Sequence, residues 1–496
     1  MLSLLENLAN ELLYKIFDRL ASRDGESGRR EIKDICNLRL ASKTVGAVAD
    51  AIFMHELLFF PCSKRDVDMV LSFANHPVYR NYPTTLALAL EMMSRDRISS
   101  LEYIGAIRAE WKKINNATKN PSLRLPQKSE GQIMQGYHLY LRLFDEQNQM
   151  LDNASEIFEE LAAKFPHVRE LVVSANNHLR FAKSPFQQCR YDIHADLMTI
   201  WDRNDLLNQA AELFKAFSDS KQLRTIQIGA IHYSFFDPIT CTAGKHCMMG
   251  NFATNITTLK LVVLAYKDES GTVHPSALQV AGTEEALGEC REVLGKGVLR
   301  SVVDHMSNLE TLTVRFVEEH AFDMGTFEAP ATLSSVISPN RVWPKLRQVA
   351  IENVKTNRHE LASFIALHKG SLESVSLQSI RFVETSSRVP STSWTEFLLD
   401  LKHRLQGARL NIFLKGILRG KSEDGEGGTE GWNLGGEIGI ADGDDDDDDE
   451  DDEDTMLRIA ITRYFKSSEH GLSCPLTKEN MDWAFGEISE EGLEDF

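Results

Sequence analysis

Few residue groups in this chain have the types and spacing that chemistry requires. A glycine-rich segment, residues 416–422, resembles a phosphate-binding loop and ends in Lys421 and Ser422. Only three residues separate its glycines, whereas the loop needs four to present its backbone N–H groups to a phosphate. An acidic stretch also follows where a helix should begin. We therefore reject a nucleotide site at this segment.

A second candidate is a group of thiol and imidazole side chains, Cys241, His246 and Cys247. Zinc sites usually combine two ligand pairs, and no second pair at zinc spacing accompanies these residues. A loop with two incidental thiols is the simpler interpretation. Scattered histidines, each interpreted as structural, show no triad spacing: His55, His76, His232 and His305. Without a hydrolase, metalloprotease or dinucleotide motif, the sequence predicts no catalytic residues, no cofactor and no metal, and thus no enzyme.

Acidic residues concentrate near the C-terminus. Between residues 422 and 454 there are seventeen acidic residues and no basic one, including eleven consecutive acids from Asp444 to Asp454. Such a block repels itself and is expected to remain unfolded as a spacer. Alternatively it is a site for a basic partner such as a histone tail, or a loose sink for divalent cations. It lacks the spacing of an EF-hand loop.

Composition describes the rest of the chain. The 496 residues suggest two to four domains, and 42% apolar residues can form a substantial core. Of the formal charge of −19, only about −2 lies outside the acidic stretch, so no general attraction to nucleic acid or anionic membranes is expected. Seven scattered cysteines indicate reduced thiols. Without a signal peptide or a long apolar run, we expect an intracellular protein, cytoplasmic and/or nuclear.

The N-terminal segment, residues 8–20, has an unusually wide apolar surface. Its apolar positions cover more than one helical stripe: Leu8, Leu12, Leu13, Ile16, Phe17 and Leu20. A helix this short is marginal alone, and a single packing surface would not need so wide an arc. The sequence therefore predicts that this helix also docks on another protein. Residues 45–53 have the simpler pattern of a helix with one buried face.

These residues resemble an F-box, the three-helix module that joins a substrate receptor to the adaptor of a cullin–RING ubiquitin ligase. The family pattern Leu-Pro-x-Glu-Leu, then Ile, Leu and Leu-x-Leu-x-Ser-Lys, is matched up to Ser42 and Lys43. The resemblance implies that the module core and the adaptor surface comprise these residues: Leu8, Ala9, Glu11, Leu12, Ile16, Phe17, Leu20, Leu38 and Leu40.

Two departures from the F-box pattern affect this interpretation. Ala9 stands where the family usually has proline; alanine preserves the helix but removes a contact surface for the adaptor. A polar stretch, residues 22–30, lengthens the first connection. The alternative is an N-terminal helical hairpin that packs on its own domain.

An irregular repeat occupies the middle of the chain. The pattern apolar-x-x-apolar-x-apolar occurs six times, beginning at Val168, Leu223, Ile256, Leu309, Leu346 and Leu372. Each occurrence ends in the two-residue alternation of a strand, and most follow a helical stretch, at residues 154–165, 205–217, 284–306 and 359–369. Alternating strands and helices predict parallel strands with crossover helices.

The repeat resembles a degenerate leucine-rich-repeat solenoid. Most spacings exceed the usual 20–29 residues, and an aliphatic residue replaces the expected Asn or Cys in five units. The alternative is an ordinary α/β domain with a parallel sheet. Before the repeats, we predict helices at residues 66–73 and 137–150 and a strand at 83–88, an arrangement similar to filamentous-fungal F-box proteins. Residues 184–204 and 267–283 are expected to be loops, and the alternation at 457–462 predicts an edge strand.

Together these features predict an α+β protein. A small three-helix F-box at residues 1–60 precedes a variable helical segment at 61–160, an irregular α/β leucine-rich-repeat-like solenoid with parallel strands at 161–420, a disordered Gly-rich and acidic loop at 421–455, and a C-terminal strand/helix segment at 456–496.

The resemblance implies a non-catalytic substrate-recognition subunit of a Skp–cullin–F-box ubiquitin ligase. Its partners would be the Skp-type adaptor, cullin and RING subunits through that adaptor, and an unknown protein substrate, with no nucleic acid and no membrane. The alternative is a ligase-independent repeat scaffold whose acidic loop binds basic proteins such as histones.

Overall fold

The structure, a computed structural model, describes residues 54–89, 98–117, 129–174, 203–237, 251–265, 284–317, 329–383, 394–406, 410–421 and 429–434, with a few residues between 457 and 476. The chain forms two compact units. Unit 1 comprises residues 1–198 and 220–224, and unit 2 comprises residues 199–219 and 225–496.

Unit 1 combines a short parallel sheet with helices. Its elements are β1 (Glu56–Phe59), α1 (Lys64–Asn75), β2 (Thr85–Ala89), α2 (Ser100–Ala117), α3 (Glu130–Asp152), α4 (Ala154–Lys164) and β3 (Glu170–Ser174). Helix α1 begins where the Ser63 side chain accepts a hydrogen bond from the Asp66 backbone N–H at 3.4 Å. Helix α3 begins at a capping box, in which Ser129 and Gln132 satisfy each other's backbone N–H groups.

The sheet of unit 1 is enclosed on both of its faces at the central strand. Strands β1, β2 and β3 pair in parallel, with Ala87 opposite Leu58 and Val172. Every residue of β2 is buried, including Thr85, which is 4% exposed. Its hydroxyl donates to Glu170 Oε2 at 3.0 Å, so the one polar side chain of the strand has a partner.

Unit 2 continues the alternation of helices and strands. Its elements are α5 (Arg203–Ala216), β4 (Thr225–His232), β5 (Thr258–Leu264), α6 (Glu284–Gly295), α7 (Val298–His305), β6 (Thr311–Val317), β7 (Ala331–Thr332), α8 (Leu333–Val336), β8 (Gln348–Thr356), α9 (Arg358–Leu367), β9 (Ser374–Phe382), α10 (Trp394–Arg404), β10 (Asn411–Lys415), β11 (Ile417–Lys421) and β12 (Thr429–Asn433). One-turn 3₁₀ helices lie at Tyr233–Phe236 and Asn251–Asn255.

The sheet of unit 2 is parallel through most of its width. Strands β4, β5, β6, β8 and β9 are adjacent in this order, each parallel to the next. Strand β10 extends the first half of β9 in parallel, and β11 pairs with β12 in an antiparallel hairpin. The structure therefore confirms an α/β architecture with a parallel sheet, and all six repeat patterns coincide with strands.

Neighbouring strands of unit 2 bend at one level of the ladder. Asn353 on β8 and Ser379 on β9 both have positive φ, at 57° and 51°, and they occupy equivalent positions in the register. The Asn353 amide donates to the Phe316 carbonyl of β6 at 3.2 Å, which stabilises the left-handed conformation at a buried site. Beyond the bend, β8 pairs with β7 and no longer with β6.

A glycine continues this bend at the turn between β10 and β11. Gly416 has φ of 66°, and a Cβ atom there would lie 2.5 Å from Ser379 Oγ and 3.3 Å from the Ser379 backbone nitrogen. Only glycine fits this close approach without a shift of β9. The segment that resembles a phosphate loop therefore contains a turn followed by a strand, not the start of a helix.

Most of the predicted helices and strands before residue 434 are confirmed. The helices predicted at residues 66–73, 137–150, 154–165, 205–217 and 359–369 correspond to α1, α3, α4, α5 and α9, and the strand predicted at 83–88 corresponds to β2. The single helix predicted at 284–306 was wrong, because the chain forms α6 and α7 with Gly297 between them at φ of 76°. A left-handed residue cannot continue an α-helix.

The edge strand predicted at residues 457–462 was also wrong. The described residues Leu457, Ala460 and Ile461 are helical, as are residues 463–465. The apolar side chains at 457, 460, 461 and 464 follow the 3.6-residue period, which outweighed the short alternation that had indicated a strand. The predicted loops at 184–204 and 267–283 lie outside the described residues, except for the start of α5.

Candidate binding surface

One face of the unit 2 sheet is lined by polar side chains. Along each strand, buried apolar residues alternate with exposed or partly exposed residues, as in β10, where Ile412 and Leu414 are buried while Phe413 and Lys415 are exposed. The outward residues of β4, β5, β6, β8, β9 and β10 share one side of the sheet, because side chains of a strand alternate between its faces. We call this surface the open face.

The parallel register aligns the open face into three rows. The first row is Thr225, Thr258, Thr311, Gln348, Ser374 and Asn411. The second row is Gln227, Lys260, Thr313, Ala350, Ser376 and Phe413. The third row is Val262, Arg315, Glu352, Gln378 and Lys415. The first row thus offers only uncharged hydroxyl and amide groups, whereas the charges lie in the second and third rows.

An ion pair crosses the third row between β6 and β8. The Arg315 guanidinium contacts the Glu352 carboxylate through two nitrogens, and Nη2 lies 3.4 Å from Oε1. Both side chains are accessible, with 48% and 18% of their surfaces exposed. Solvent weakens such a pair, so it orients the two side chains more than it stabilises the fold.

The open face also exposes an aromatic ring. Phe413 is 42% exposed on β10, beside the small side chain of Ser376 in the same row. Ala350 follows on β8, so the second row has two small side chains next to the Phe413 ring. This arrangement can accept an apolar side chain of a partner on one side of the ring. The exposed polar rows and the aromatic ring suit a binding role.

The residues predicted from the F-box resemblance lie outside the described residues. This holds for the full set: Leu8, Ala9, Glu11, Leu12, Ile16, Phe17, Leu20, Leu38 and Leu40. The rejected zinc candidate, residues 241–247, lies outside them as well. Within the described part of the chain, no three His, Cys, Asp or Glu side chains are grouped closely enough to hold a metal ion. Among the described helices we also find no segment with the length and hydropathy of a membrane span.

A buried histidine, His368, has a structural role. Its Nε2 accepts a hydrogen bond from the Trp343 backbone N–H at 3.0 Å, so Nδ1 carries the proton and donates to the Phe364 carbonyl at 2.8 Å. The Trp343 ring stacks on the imidazole at 5.8 Å between centroids. Burial lowers the pKa of His368, partly offset by the Phe364 carbonyl. The neutral imidazole is thus part of the core, and both of its ring nitrogens make hydrogen bonds to the backbone.

A second group of reactive residue types surrounds Cys474. Lys402 Nζ lies 3.8 Å from the centre of the Tyr464 ring. Burial raises the pKa of the Cys474 thiol and also raises the pKa of the Tyr464 hydroxyl. A thiol whose pKa is raised carries little thiolate at neutral pH and is a poor nucleophile.

The residues of the open face were not identified from the sequence. The repeat pattern specified the buried positions, and the open face consists of the intervening positions that the pattern leaves variable. One signal was present: in the five units from residue 223 onwards, the position before the second apolar residue is always Thr, Ser or Gln. Strand β10 escaped detection because Arg409 stands where the pattern requires an apolar residue.

Comparison with known proteins adds no family to these observations. No protein-family model matches the chain, and a search of curated proteins finds none with significant sequence similarity.

Proposed function

We propose that this protein is the substrate-recognition subunit of a Skp–cullin–F-box ubiquitin ligase. The observation that carries the proposal is the motif spacing from Leu8 to Lys43, placed ahead of an α/β domain with one open sheet face. The N-terminal helices would bind the adaptor, and the open face would bind the substrate. This division gives each of the two surfaces a separate partner.

The repeat domain is proposed to be a divergent leucine-rich-repeat domain. Its six patterns fall on parallel strands, and the outward positions of the five patterns in unit 2 align into rows. A surface of this kind binds through shape and a few anchoring side chains.

In this role the protein performs no bond chemistry of its own. It would hold a lysine of the substrate near the ubiquitin-charged enzyme that the other subunits bring. Holding two reactants together can supply several kcal/mol of a reaction barrier through proximity alone. This role needs binding surfaces rather than catalytic groups.

The decisive experiment removes the apolar adaptor surface. The double variant Ile16→Asp with Leu20→Asp places two charges on the wide apolar arc of residues 8–20. We expect adaptor and cullin to disappear from affinity purifications of the full-length chain. A matched control, Ser22→Asp with Ser27→Asp, adds the same charge in the polar stretch that follows and should retain both partners.

The melting temperature of the full-length chain provides the second readout. If the first double variant binds the adaptor at the wild-type level, these residues are not the contact and the proposal fails. Adaptor loss with unchanged melting of the chain supports it, because global unfolding is then excluded. Adaptor absent from the wild-type chain as well would overturn the ligase function altogether.

A further inference from the structure

We propose that the open face binds an extended acidic peptide segment. The identification of this segment as part of a ubiquitination substrate rests on the function proposed above. The chemistry of recognition is inferred from the side chains of the open face alone. Three cations, Lys260, Arg315 and Lys415, lie in its second and third rows, against a single acid, Glu352. Outside the acidic stretch the chain carries a formal charge of only about −2, so the net charge of +2 on these four side chains is a local excess of positive charge.

Positive charge increases toward the ends of the strands. The residues immediately before β4, β6, β8 and β9 are two basic and two acidic ones, Arg224, Glu310, Arg347 and Glu373, with Arg347 3.5 Å from Glu373, and the first row contains no charge. The cations of the open face begin only in the second row. Past the bend, Lys355 and Arg381 are opposite each other in the register, although both also interact elsewhere in the chain. Acidic groups of a partner should therefore lie near the second and third rows.

The spacing of the lysines fits an extended peptide that crosses the strands. Lys260 is on β5 and Lys415 is on β10, four strand intervals away. At about 4.8 Å per interval the two strands are about 19 Å apart, which an extended chain spans with about six residues. Between the lysines, the hydroxyl groups of Thr313 and Ser376 can hydrogen-bond to a peptide backbone.

The exposed ring of Phe413 adds an apolar anchor at one end. Phe413 and Lys415 lie on the same face of β10, two residues apart. A peptide with a leucine next to a glutamate can place the leucine side chain on the Phe413 ring and the glutamate carboxylate near Lys415. Rigid aromatic anchors of this kind contribute strongly to peptide affinity. The preferred peptide is therefore acidic at both ends and apolar beside one of its acids.

Nucleic acid fits the open face less well than an acidic peptide. A polyanion carries charge along its whole length, whereas the described cations of the face are few and lie on separate strands, β5, β6 and β10. Most of the formal charge of −19 lies in the acidic stretch at residues 422–454, and this stretch would repel a long polyanion more than a short peptide. A short peptide with a few carboxylates avoids most of that repulsion.

The test measures binding of two labelled peptides to the full-length chain by fluorescence anisotropy. One peptide of about ten residues has a leucine–glutamate pair and a second glutamate about six residues away, a distance set by the strand spacing. The other replaces each glutamate by glutamine. Since Asp444 to Asp454 could compete for the same face, both measurements are repeated in a chain whose acids there are changed to amides. We expect preference for the acidic peptide, weakening with salt.

Matched charge reversals locate the binding to the open face. Lys260→Glu with Lys415→Glu should reduce affinity for the acidic peptide roughly ten-fold or more. Lys345→Glu with Lys369→Glu makes the same charge change at exposed positions outside the strands and should leave affinity near wild type. Equal affinity of the two double variants, no preference between the peptides in either background, or tighter binding of a single-stranded oligonucleotide would overturn the proposal.

Adaptor binding separates this inference from the proposed function. The open-face variant should still co-purify with the adaptor, whereas Ile16→Asp with Leu20→Asp should still bind the acidic peptide. Loss of charge preference with adaptor binding intact contradicts only the peptide proposal. If the charge preference is retained but the adaptor does not co-purify with the wild-type chain, only the ligase proposal is contradicted.

Discussion

The sheets of the two units share one ladder pattern but differ at the variable positions. In unit 1 the third residue of β2, Ala87, is fully buried, and its neighbour Val172 on β3 is 9% exposed. In unit 2 the third residue of β8, Ala350, is partly exposed, and Lys260 on β5 is exposed. The core positions thus specify a parallel sheet in both units, whereas the variable positions specify whether its second face is covered.

The largest effect is expected when the same charge is introduced at Ala87 and at Ala350. Ala87→Asp places a carboxylate where no side-chain surface is accessible, and we expect it to destabilise the protein by about 3–5 kcal/mol, since a buried unpaired charge is not solvated. Ala350→Asp should cost within about 1 kcal/mol because water reaches that position. Soluble yield and urea denaturation midpoints measure both effects. Similar losses at the two positions would show that the open face is covered in solution.

A second test concerns the bends, which distinguish the strands of unit 2. Among the described residues, all those with positive φ lie in this unit. Gly416→Ala should destabilise the protein by about 1–3 kcal/mol, because the conformation is left-handed and the added Cβ meets Ser379. Gly370→Ala is the matched control, since no atom lies within 4 Å of its added Cβ. The comparison uses thermal melting of both variants, and an equal shift would argue against a constrained turn.

The bends also show where sequence reasoning succeeded and failed. Strands were recognisable because apolar positions such as Val349 and Ile351 recur at a fixed spacing set by burial. Asn353 and Ser379 are not glycines, so the usual signal for a left-handed residue was missing. The break at Gly297 was missed because the helical period continues on both sides of it. Local periodicity predicts which face is buried, but it does not predict which neighbouring segment covers the other face.

A third test examines acid sensitivity in the core of unit 2. Burial lowers the pKa of His368, so the folded state resists a proton that the unfolded chain accepts near its ordinary pKa of 6.5. This contribution to stability is present above that pH and is lost as the pH falls below it. We expect His368→Asn to be less stable at pH 7.5 but to lose less stability between about pH 6.5 and 5.5 than wild type.

An exposed histidine of unit 1 provides the control for this pH effect. His138 is exposed on α3, so His138→Asn makes the same substitution outside the core and should leave the stability close to wild type. Melting temperatures across the pH range in one buffer series compare the three chains. An unchanged acid slope in His368→Asn would mean that other groups determine the acid sensitivity.

The smallest effect on stability is expected on the open face itself. Glu352→Gln removes the acid that pairs with Arg315, and the pair is accessible to solvent, so stability should change by less than about 1 kcal/mol. The same change removes the one negative charge among the described open-face residues, so affinity for the acidic peptide should rise about two- to three-fold. Glu373→Gln, which breaks the Arg347 pair outside the strands, is the control and should alter affinity less. A decrease of more than about 2 kcal/mol in the free energy of unfolding of Glu352→Gln would contradict this expectation. The Arg315–Glu352 pair would then be a structural contact in a covered face, like the contact between Thr85 and Glu170 in unit 1.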